Sequence, residues 1–454
     1  MSINNFPAQL VAAIQQGYLA REFQTGLQSK LGFRGVADRE VFPNAIGETL
    51  TKTRKSLKTP VTTPLNPTAN TNFDNGLTSS DWGVEQYTLS INMYGDTIDL
   101  NMVTSGVGIA SQFLANAHTN GIQAMQSLDR LARNTLFGGA LNGVGGYLGG
   151  NTRVVTTLGS AGTSVAVDDI RGFQRMLIEG QVVAVGSAAA LTVTIGSGVY
   201  SLVGATADAT NVSTAPDGVS GSLTLSANVS VSDGTAGNAV VAATAPYVIR
   251  PNNRLTTAAL AAGDTLGIQN VLAGVAALRR NNVPMINGAY HCYLDDLQLL
   301  GLFRDADFKY LYRGAYGSEE YRNGEVIELL GVRFIPTTEA PQQAAISAAA
   351  GPIHRALVVG QGALVEGDFA GTGHSDIPDA DRALIEKIDD VAMVTREPLD
   401  RLRQIIAQSW YWIGGFALPT DSTANTSIIP TATNSYLKRG VVIESLGTDG
   451  VAAA

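Results

Sequence analysis

The sequence has little that would support disulfide cross-links or membrane insertion. Only one of its 454 residues is a cysteine, Cys292, which excludes an intramolecular disulfide and fits a reducing compartment. We interpret Cys292 as a small buried residue of a strand and not as a nucleophile. No run of about twenty apolar residues is present, so we expect no membrane-spanning helix. The N-terminus lacks a basic leader, and no signal peptide is predicted.

An excess of positive charge is also lacking. Thirty Lys and Arg residues stand against thirty-nine Asp and Glu, which gives a net charge of −9. A protein that grips nucleic acid needs a basic face to neutralise the phosphates. The composition therefore argues against a dedicated nucleic-acid-binding protein. The 45% share of hydrophobic residues permits a sizeable core, which a chain of this length would divide among two or three structural units.

Motifs for catalysis and for ligand binding are missing as well. The glycine-rich stretch 138–150 contains no G-x-G-x-x-G pattern and follows a predicted helix instead of a strand, so a flexible hinge is the better interpretation. The acidic stretch with Asp376, Asp379 and Asp381 has no EF-hand spacing and is interpreted as a solvated turn. We therefore predict no enzymatic activity, no cofactor and no metal site. The histidines, which lack metal-site spacing, are His118, His291, His354 and His374.

Residues 181–249 lack Lys, Arg and Glu entirely. Short runs of alternating apolar and polar residues, such as 191–195, are separated by glycine-containing turns, which predicts a small β-barrel or sandwich. With its flanking strands this segment spans roughly 151–251 and has the character of an insertion. An adhesin-like module is the alternative. Its low charge would suit either a solvent-facing projection or a wedge between subunits.

Upstream of this segment the apolar pattern has two periods. Tyr87, Leu89 and Ile91 alternate with polar residues, which predicts a strand with one buried face. Residues 96–136 carry apolar side chains at helical spacing, and a helix over 108–137 would be roughly 45 Å long. A second amphipathic helix is predicted over 7–31.

A polar segment, residues 45–81, lies between the N-terminal helix and this strand. Lys52, Arg54, Lys55 and Lys58 fall within seven positions of it. Like charges so close repel one another, and so few apolar side chains cannot order the segment. It is predicted either to project as a mobile hairpin or to be a solvated loop.

The second half of the chain is predicted to mix helices and strands. Asp264 is placed to cap a helix that ends near residue 281. A tyrosine-rich loop over 305–323 has a composition typical of interfaces. The strand over 402–416 has a helix over 400–409 as its alternative. The remaining predicted elements are strands over 288–293, 356–360 and 391–395 and a helix over 294–303.

Four stretches together resemble a known family. Residues 324–341, GEVIELLGVRFIPTTEAP, predict two short strands around Gly331 that end at Pro336. They follow YHCYLDDLQLLGLFRD at 290–305. With these, DTIDLNMVTSGVGIASQF at 96–113 and PLDRLRQIIAQSWYWIGGF at 398–416 resemble tailed-bacteriophage major capsid proteins of the Hong Kong 97 fold, in particular the N-four-type coats. The resemblance covers about 350 residues, roughly 1–150 and 250–445.

The resemblance implies an α+β fold of the Hong Kong 97 type with an all-β insertion domain. The implied order is an N-terminal arm at 1–44, an extended loop at 45–81, a peripheral domain with a long spine helix at 82–150, the insertion domain at 151–251, an axial domain at 252–385, and a return to the peripheral domain with a C-terminal tail at 386–454.

The resemblance also implies a function. A major capsid protein self-assembles as hexamers and pentamers into an icosahedral head shell, in the host cytoplasm, and the shell encloses double-stranded DNA without reading its sequence. Scaffolding and portal proteins would be partners, with decoration proteins an optional addition. Lys52, Arg54, Lys55 and Lys58 would contact an adjacent subunit. The alternatives are a tail, decoration or surface-layer protein with a β adhesion module, or an unrecognised hydrolase.

Overall fold

The computed structural model describes residues 32–42, 48–64, 82–101, 109–315, 328–344, 346, 351–369, 385–388, 390–396, 405–421, 427–433 and 435–447. The predicted helix over 7–31 and the acidic stretch around Asp376 lie outside these residues. The fold is mixed α+β and divides into two compact units. The first comprises Met1–Leu50, Thr88–Ala132 and Val365–Ala417, and the second comprises Thr51–Tyr87, Arg133–Leu364 and Leu418–Ala454.

The helices and strands of the described residues follow in chain order. The α-helices are α1 (Ile109–Phe137), α2 (Ile268–Arg280), α3 (Asp296–Arg304) and α4 (Ala306–Ala315). The strands before residue 250 are β1 (Ala37–Phe42), β2 (Thr49–Lys55), β3 (Val84–Ser90), β4 (Asn92–Asn101), β5 (Asn151–Arg153), β6 (Gly162–Val167), β7 (Arg175–Ile178), β8 (Gln181–Ala184), β9 (Leu191–Ile195), β10 (Gly198–Ala207), β11 (Gly221–Val229), β12 (Ala239–Ala242) and β13 (Val248–Ile249). The later strands are β14 (Tyr290–Leu294), β15 (Glu328–Leu329), β16 (Val332–Pro336), β17 (Gln342–Gln343), β18 (Ile353–Val359), β19 (Leu364–Phe369), β20 (Ile385–Ile388), β21 (Val391–Arg396), β22 (Ile405–Ala417) and β23 (Gly440–Leu446).

Strand β22 organises the first unit because it has partners along both of its edges. It pairs with β4 in an unbroken antiparallel register from Ile405 opposite Asn101 to Gly414 opposite Asn92. Along the other edge it pairs with β21 and β19, and the sheet order is β1-β19-β22-β21-β20. The strand predicted over 402–416 is thereby confirmed for residues 405–416, and the helical alternative is wrong for residues 405–409.

The long helix α1 packs on this sheet. Trp410 and Trp412, two residues apart on β22, share one buried face. They lie in a cluster with Met125 and Leu128 of the helix. The Trp410 indole N–H donates to Gln123 Oε1 at 3.2 Å, which satisfies the polar end of a ring that is otherwise in apolar surroundings. Both tryptophans therefore belong to the core of the first unit.

The second unit contains a seven-stranded sheet with the order β13-β23-β18-β14-β16-β15 and with β17 beside β18. Every residue of the two central strands, β18 and β23, is buried. Helix α2 packs Val271, Val275 and Leu278 against this sheet. The hairpin predicted around Gly331 is confirmed for its described residues, because β15 and β16 pair antiparallel through a turn in which Leu330 and Gly331 both have positive φ, at 56° and 77°.

Six strands between residues 151 and 242 of the second unit form a closed barrel, and β7 and β8 form a separate two-stranded sheet. The sheet order of the barrel is β5-β12-β9-β10-β11-β6, and an antiparallel bridge between Val154 and Val167 joins the two ends. An ion pair between Arg153 and Asp168, 3.3 Å apart, spans the same seam. Of the two predicted alternatives, barrel and sandwich, the structure has the barrel. Strand β13 does not belong to it, since Val248 and Ile249 pair with β23.

The glycine-rich stretch after α1 is a packed turn and not the flexible hinge that its composition predicted. Gly145 and Gly172 have φ of +87° and +85°, and a Cβ on Gly145 would lie 2.8 Å from the Gly172 Cα. The Tyr147 and Leu148 amides donate to carbonyl groups in the last turn of the helix. Glycine is needed here because two backbone segments touch.

Three predicted boundaries were wrong. Residues 96–101 belong to β4 and not to the long helix, because Ile98 and Leu100 alternate with polar residues. Asp264 does not cap α2, since its carboxylate holds Arg254 at 3.0 Å. The carboxylate of Asp305 accepts the Ile268 N–H at 2.8 Å instead. Residues 306–315 of the predicted tyrosine-rich loop form α4.

Trp412 is 1% exposed and stacks between Tyr94 and Phe416. Trp412→Ala should lower the free energy of unfolding by about 3–5 kcal/mol, because it removes a large buried ring. Denaturant unfolding of the soluble subunit measures this loss. Met93→Ala is the matched control on the same sheet, because Met93 is 72% exposed and its truncation should change stability little. Equal stability of the two variants would contradict a core role for Trp412.

Candidate functional site

Three of the four basic residues predicted to contact a neighbour lie on β2, which forms a two-stranded sheet with β3. At one end the Ile91 N–H donates to the Glu48 carbonyl at 3.0 Å, and at the other the Ser56 N–H donates to the Gly83 carbonyl at 2.9 Å. The strands therefore run in opposite directions. Along β3 the exposure alternates residue by residue, with Tyr87 and Leu89 buried as the sequence predicted.

The structure separates the four predicted cations instead of grouping them. Lys52 and Arg54 lie on the half-buried face of β2, whereas Lys55 is exposed on the opposite face. Lys58 lies beyond the end of the strand and is exposed. Only Lys55 and Lys58 are therefore fully presented to solvent.

Arg54 faces the interior of the second unit. A Cβ on Gly362 would lie 3.3 Å from Arg54 Nη2, so the guanidinium lies against this turn. Nearby, the Tyr147 hydroxyl donates to the Ala363 carbonyl at 3.0 Å. Burial raises the pKa of Tyr147 well above its ordinary value, although the charges of Arg439 and Arg54 act in the opposite direction. The Arg54 guanidinium therefore makes contacts within its own chain.

Exposed apolar side chains accompany the two exposed lysines. Leu57, Val61, Trp82 and Val84 are all exposed, and Val61 is 84% exposed. The Lys55 ammonium lies 5.3 Å from the centre of the Trp82 ring, a cation–π distance. Exposed apolar residues that occur together mark an interaction surface more often than isolated ones do. The cluster of basic residues did not point to these four side chains, although a tryptophan directly after a long polar segment is a signal that could have found them.

A buried charge cluster in the first unit fixes the segment before β1. The Arg34 guanidinium donates to both carboxylate oxygens of Glu366, with Nη2 to Oε1 at 2.5 Å. Its backbone N–H donates to Asp129 Oδ1 at 3.0 Å. Asp390, in the turn before β21, binds Arg39 at 2.6 Å. These contacts join β1, α1, β19 and the β20–β21 turn, which is a structural role.

The described histidines and Cys292 show no catalytic arrangement. His354 is buried and bonded to the Asp295 carboxylate, which also caps α3. Burial, with a smaller effect of the Arg333 charge, lowers the pKa of His291. Cys292 is buried, and its burial raises the thiol pKa to about 12, which confirms the structural interpretation of this residue. Among the described residues no group of His, Cys, Asp and Glu could hold a metal ion.

The described helices include none with both the length and the apolarity that a membrane crossing demands.

The structure is similar to chains from several bacteriophage capsids. A chain of the capsid of Ralstonia phage GP4 has a TM-score of 0.49 and 12% identity, and the match covers 94% of this chain and 93% of that one. The acid-stable capsid of Helicobacter pylori bacteriophage KHP30 gives 0.45 and 9%, with 92% of each chain covered. The capsid of cyanophage P-SCSP1u gives 0.47 and 10%, with 92% and 89% covered. No protein-family model and no curated protein matches the sequence.

The separation of the four cations leads to a testable difference between them. Replacing Lys55 and Lys58 together by Glu should leave the subunit folded, because both are exposed, and should abolish its association with other copies. Arg54→Glu should instead lower the thermal stability of the isolated subunit, because its guanidinium lies against the chain's own turn. Circular dichroism and electron microscopy measure the two effects.

The matched control for the double lysine variant is Arg333→Glu with Lys387→Glu, which makes the same change of charge at exposed positions of other strands. It should associate like the original protein. Normal particles from the Lys55, Lys58 variant would show that these side chains are only solvated.

Proposed function

We propose that this protein is a major capsid protein of a tailed bacteriophage. It self-assembles as hexamers and pentamers into the icosahedral head shell of the virion, which encloses packaged double-stranded DNA. Assembly takes place in the host cytoplasm, with scaffolding and portal proteins as partners. The protein has no catalytic role in this proposal.

The surface around the β2–β3 hairpin is the observation that carries the proposal. Its exposed apolar residues, Leu57, Val61, Trp82 and Val84, would remain in water in an isolated subunit. Burial of such a surface against a partner is favourable by roughly 25 cal/mol for each Å² of apolar area removed from water. A chain whose hairpin presents this surface is suited to association.

Charge indicates that the partner is a second copy of the same chain. Lys55 lies on this surface, over the Trp82 ring, and the exposed Lys58 follows Leu57 in the sequence, whereas the whole chain has a net charge of −9. The rest of the chain is therefore acidic, and its copies offer carboxylates to the lysines. Ion pairs at the rim of an interface set its register more than its strength, at about 1 kcal/mol or less each. The lysines would orient the contact while the apolar residues stabilise it.

The order of elements supports the same function. The β2–β3 hairpin precedes the 29-residue helix α1, and the barrel follows the helix. Strand β22, late in the chain, pairs with β4. This is the order that the resemblance to N-four-type coats implies from the sequence. The acidic composition suits a shell that surrounds DNA without binding it tightly, because a surface that binds DNA tightly would have to be basic.

Electron microscopy of the purified full-length protein tests the proposal. Negatively stained samples at increasing protein concentration should contain shells or rings of five and six subunits. Extended two-dimensional sheets would favour a surface-layer protein. Lone monomers that turn over a hydrolase substrate would overturn the proposal in favour of an enzyme.

The apolar hairpin residues provide a variant for the same experiment. Leu57→Ser with Val61→Ser should abolish shells and rings while leaving the subunit folded, because both side chains are exposed. Val199→Ser with Val212→Ser is the control, because these two apolar side chains are also exposed, at 68% and 66%, but lie in the barrel segment. Assembly by the hairpin variant would remove the observation on which the proposal depends.

A further inference from the structure

A cavity lined by charged side chains lies within the second unit. Its volume is about 50 Å³, and its walls come from the end of α1, from the barrel and from β18 and β23. All of its lining residues belong to that one unit. Its charged residues are Arg133, Arg153, Arg171, Arg250 and Arg355 together with Asp168, Asp169, Asp217 and Glu444.

Three of these arginines have a carboxylate of their own. Arg171 forms a two-pronged ion pair with Asp169, with the shortest contact at 2.7 Å. Arg153 contacts Asp168 at 3.3 Å. The third pair, Arg133 with Asp217, is 3.4 Å apart, and Asp217 is the most exposed of the charged lining residues.

The other two arginines share a single carboxylate. Arg250 Nε lies 2.7 Å from Glu444 Oε2, and Arg355 Nε lies 2.9 Å from Glu444 Oε1. Burial alone would raise the pKa of Glu444, but the charges of Arg250 and Arg355 hold it at about 2. Glu444 therefore stays ionised at neutral pH. Glu339 Oε2, 3.6 Å from Arg133 Nη1, brings the carboxylates around these five arginines to five. At Glu444, however, two guanidinium groups share one carboxylate, which leaves one positive charge in excess there.

Arg355 carries this excess. Its side chain is 3% exposed, and among the described residues its Nη1 has no hydrogen-bond partner. Its Nη2 donates to Gln343 Oε1, a neutral acceptor that cannot compensate the charge. A buried donor without a partner costs about 1–3 kcal/mol, and more when it is charged. The cavity beside Arg355 is where a compensating group can sit.

We propose that this cavity binds a small inorganic oxyanion, of the phosphate or sulfate class, against Nη1 of Arg355. A cavity of about 50 Å³ exceeds the 10–15 Å³ or so that one water needs, so there is room for an anion with several oxygens. Guanidinium forks match such oxygens in geometry and charge. Asp217, at the exposed side, disfavours a polyanion such as nucleic acid.

Calorimetric titration of the full-length protein with inorganic phosphate tests the site, in a phosphate-free buffer at constant ionic strength. We expect saturable heat from one site for each chain, with sulfate competing and sodium chloride giving none. Absence of saturable heat would overturn the proposal and leave water as the occupant. Competition by a short single-stranded oligonucleotide would also overturn it, because the site would then take a nucleic-acid phosphate.

Gln343→Glu is the decisive variant because it is nearly isosteric and supplies the missing carboxylate. It should weaken phosphate binding by at least about tenfold. The new carboxylate keeps Arg355 Nη2 as its hydrogen-bond donor, so the fold should persist, although Thr214 Oγ1 loses the hydrogen bond that Gln343 Nε2 now donates at 3.0 Å. Arg355→Lys, which keeps the charge but loses Nη1, should weaken binding as well. Arg333→Gln, at an exposed position of the same sheet, should bind like the original protein. Unchanged binding by Gln343→Glu would refute the assignment.

Discussion

The first unit depends on the pairing of β22 with β4. These strands lie more than 300 residues apart in the sequence, yet they pair through ten consecutive positions without a bulge. Because side chains alternate along a strand, a slip of one residue would turn Trp410 and Trp412 away from α1. The register of this strand pair therefore determines which side chains form the core. Contacts so distant in sequence also form late, since the closure of a long loop must precede them.

Both units use a buried arginine and carboxylate to join segments that are distant in the sequence. Arg34 binds Glu366 across 332 positions of the chain, and Arg355 lies directly opposite Glu444 in the β18–β23 ladder. Buried ion pairs of this kind add little net stability, because desolvation offsets the attraction. Removal of one partner, however, leaves an uncompensated charge. Any arrangement that separates one of these pairs therefore carries the cost of a buried, unpaired charge.

Local sequence patterns predicted the strands and helices that bury only one face. The alternation at Tyr87 and Leu89, the alternating run 191–195 and the helical spacing from Ile122 to Leu136 each correspond to an element of the structure. Predictions failed where a distant partner decides the outcome. The Asp305 carboxylate caps α2 from 37 residues away, a contact that no local pattern contains.

The candidate surface was only partly predictable for the same reason. Charge density selected Lys52, Arg54, Lys55 and Lys58, but only the alternation along the paired strand β2 separates the inward Arg54 from the exposed Lys55. The arginine-lined cavity was not predictable at all. Its charged residues come from positions between 133 and 444, and none of them forms a motif in the sequence.

The closure of the barrel affects how identical chains can pair when many copies lie close together. An open sheet presents a row of unpaired N–H and C=O groups on which another chain can pair, and this risk grows with local concentration. At the seam beside Val154 and Val167, the Val155 N–H donates to the Ala166 carbonyl and the Asp168 N–H donates to the Arg153 carbonyl, so backbone groups of the two end strands pair with each other. Closure of the barrel sheet therefore reduces the edge that it offers for β-pairing with identical copies at high local concentration.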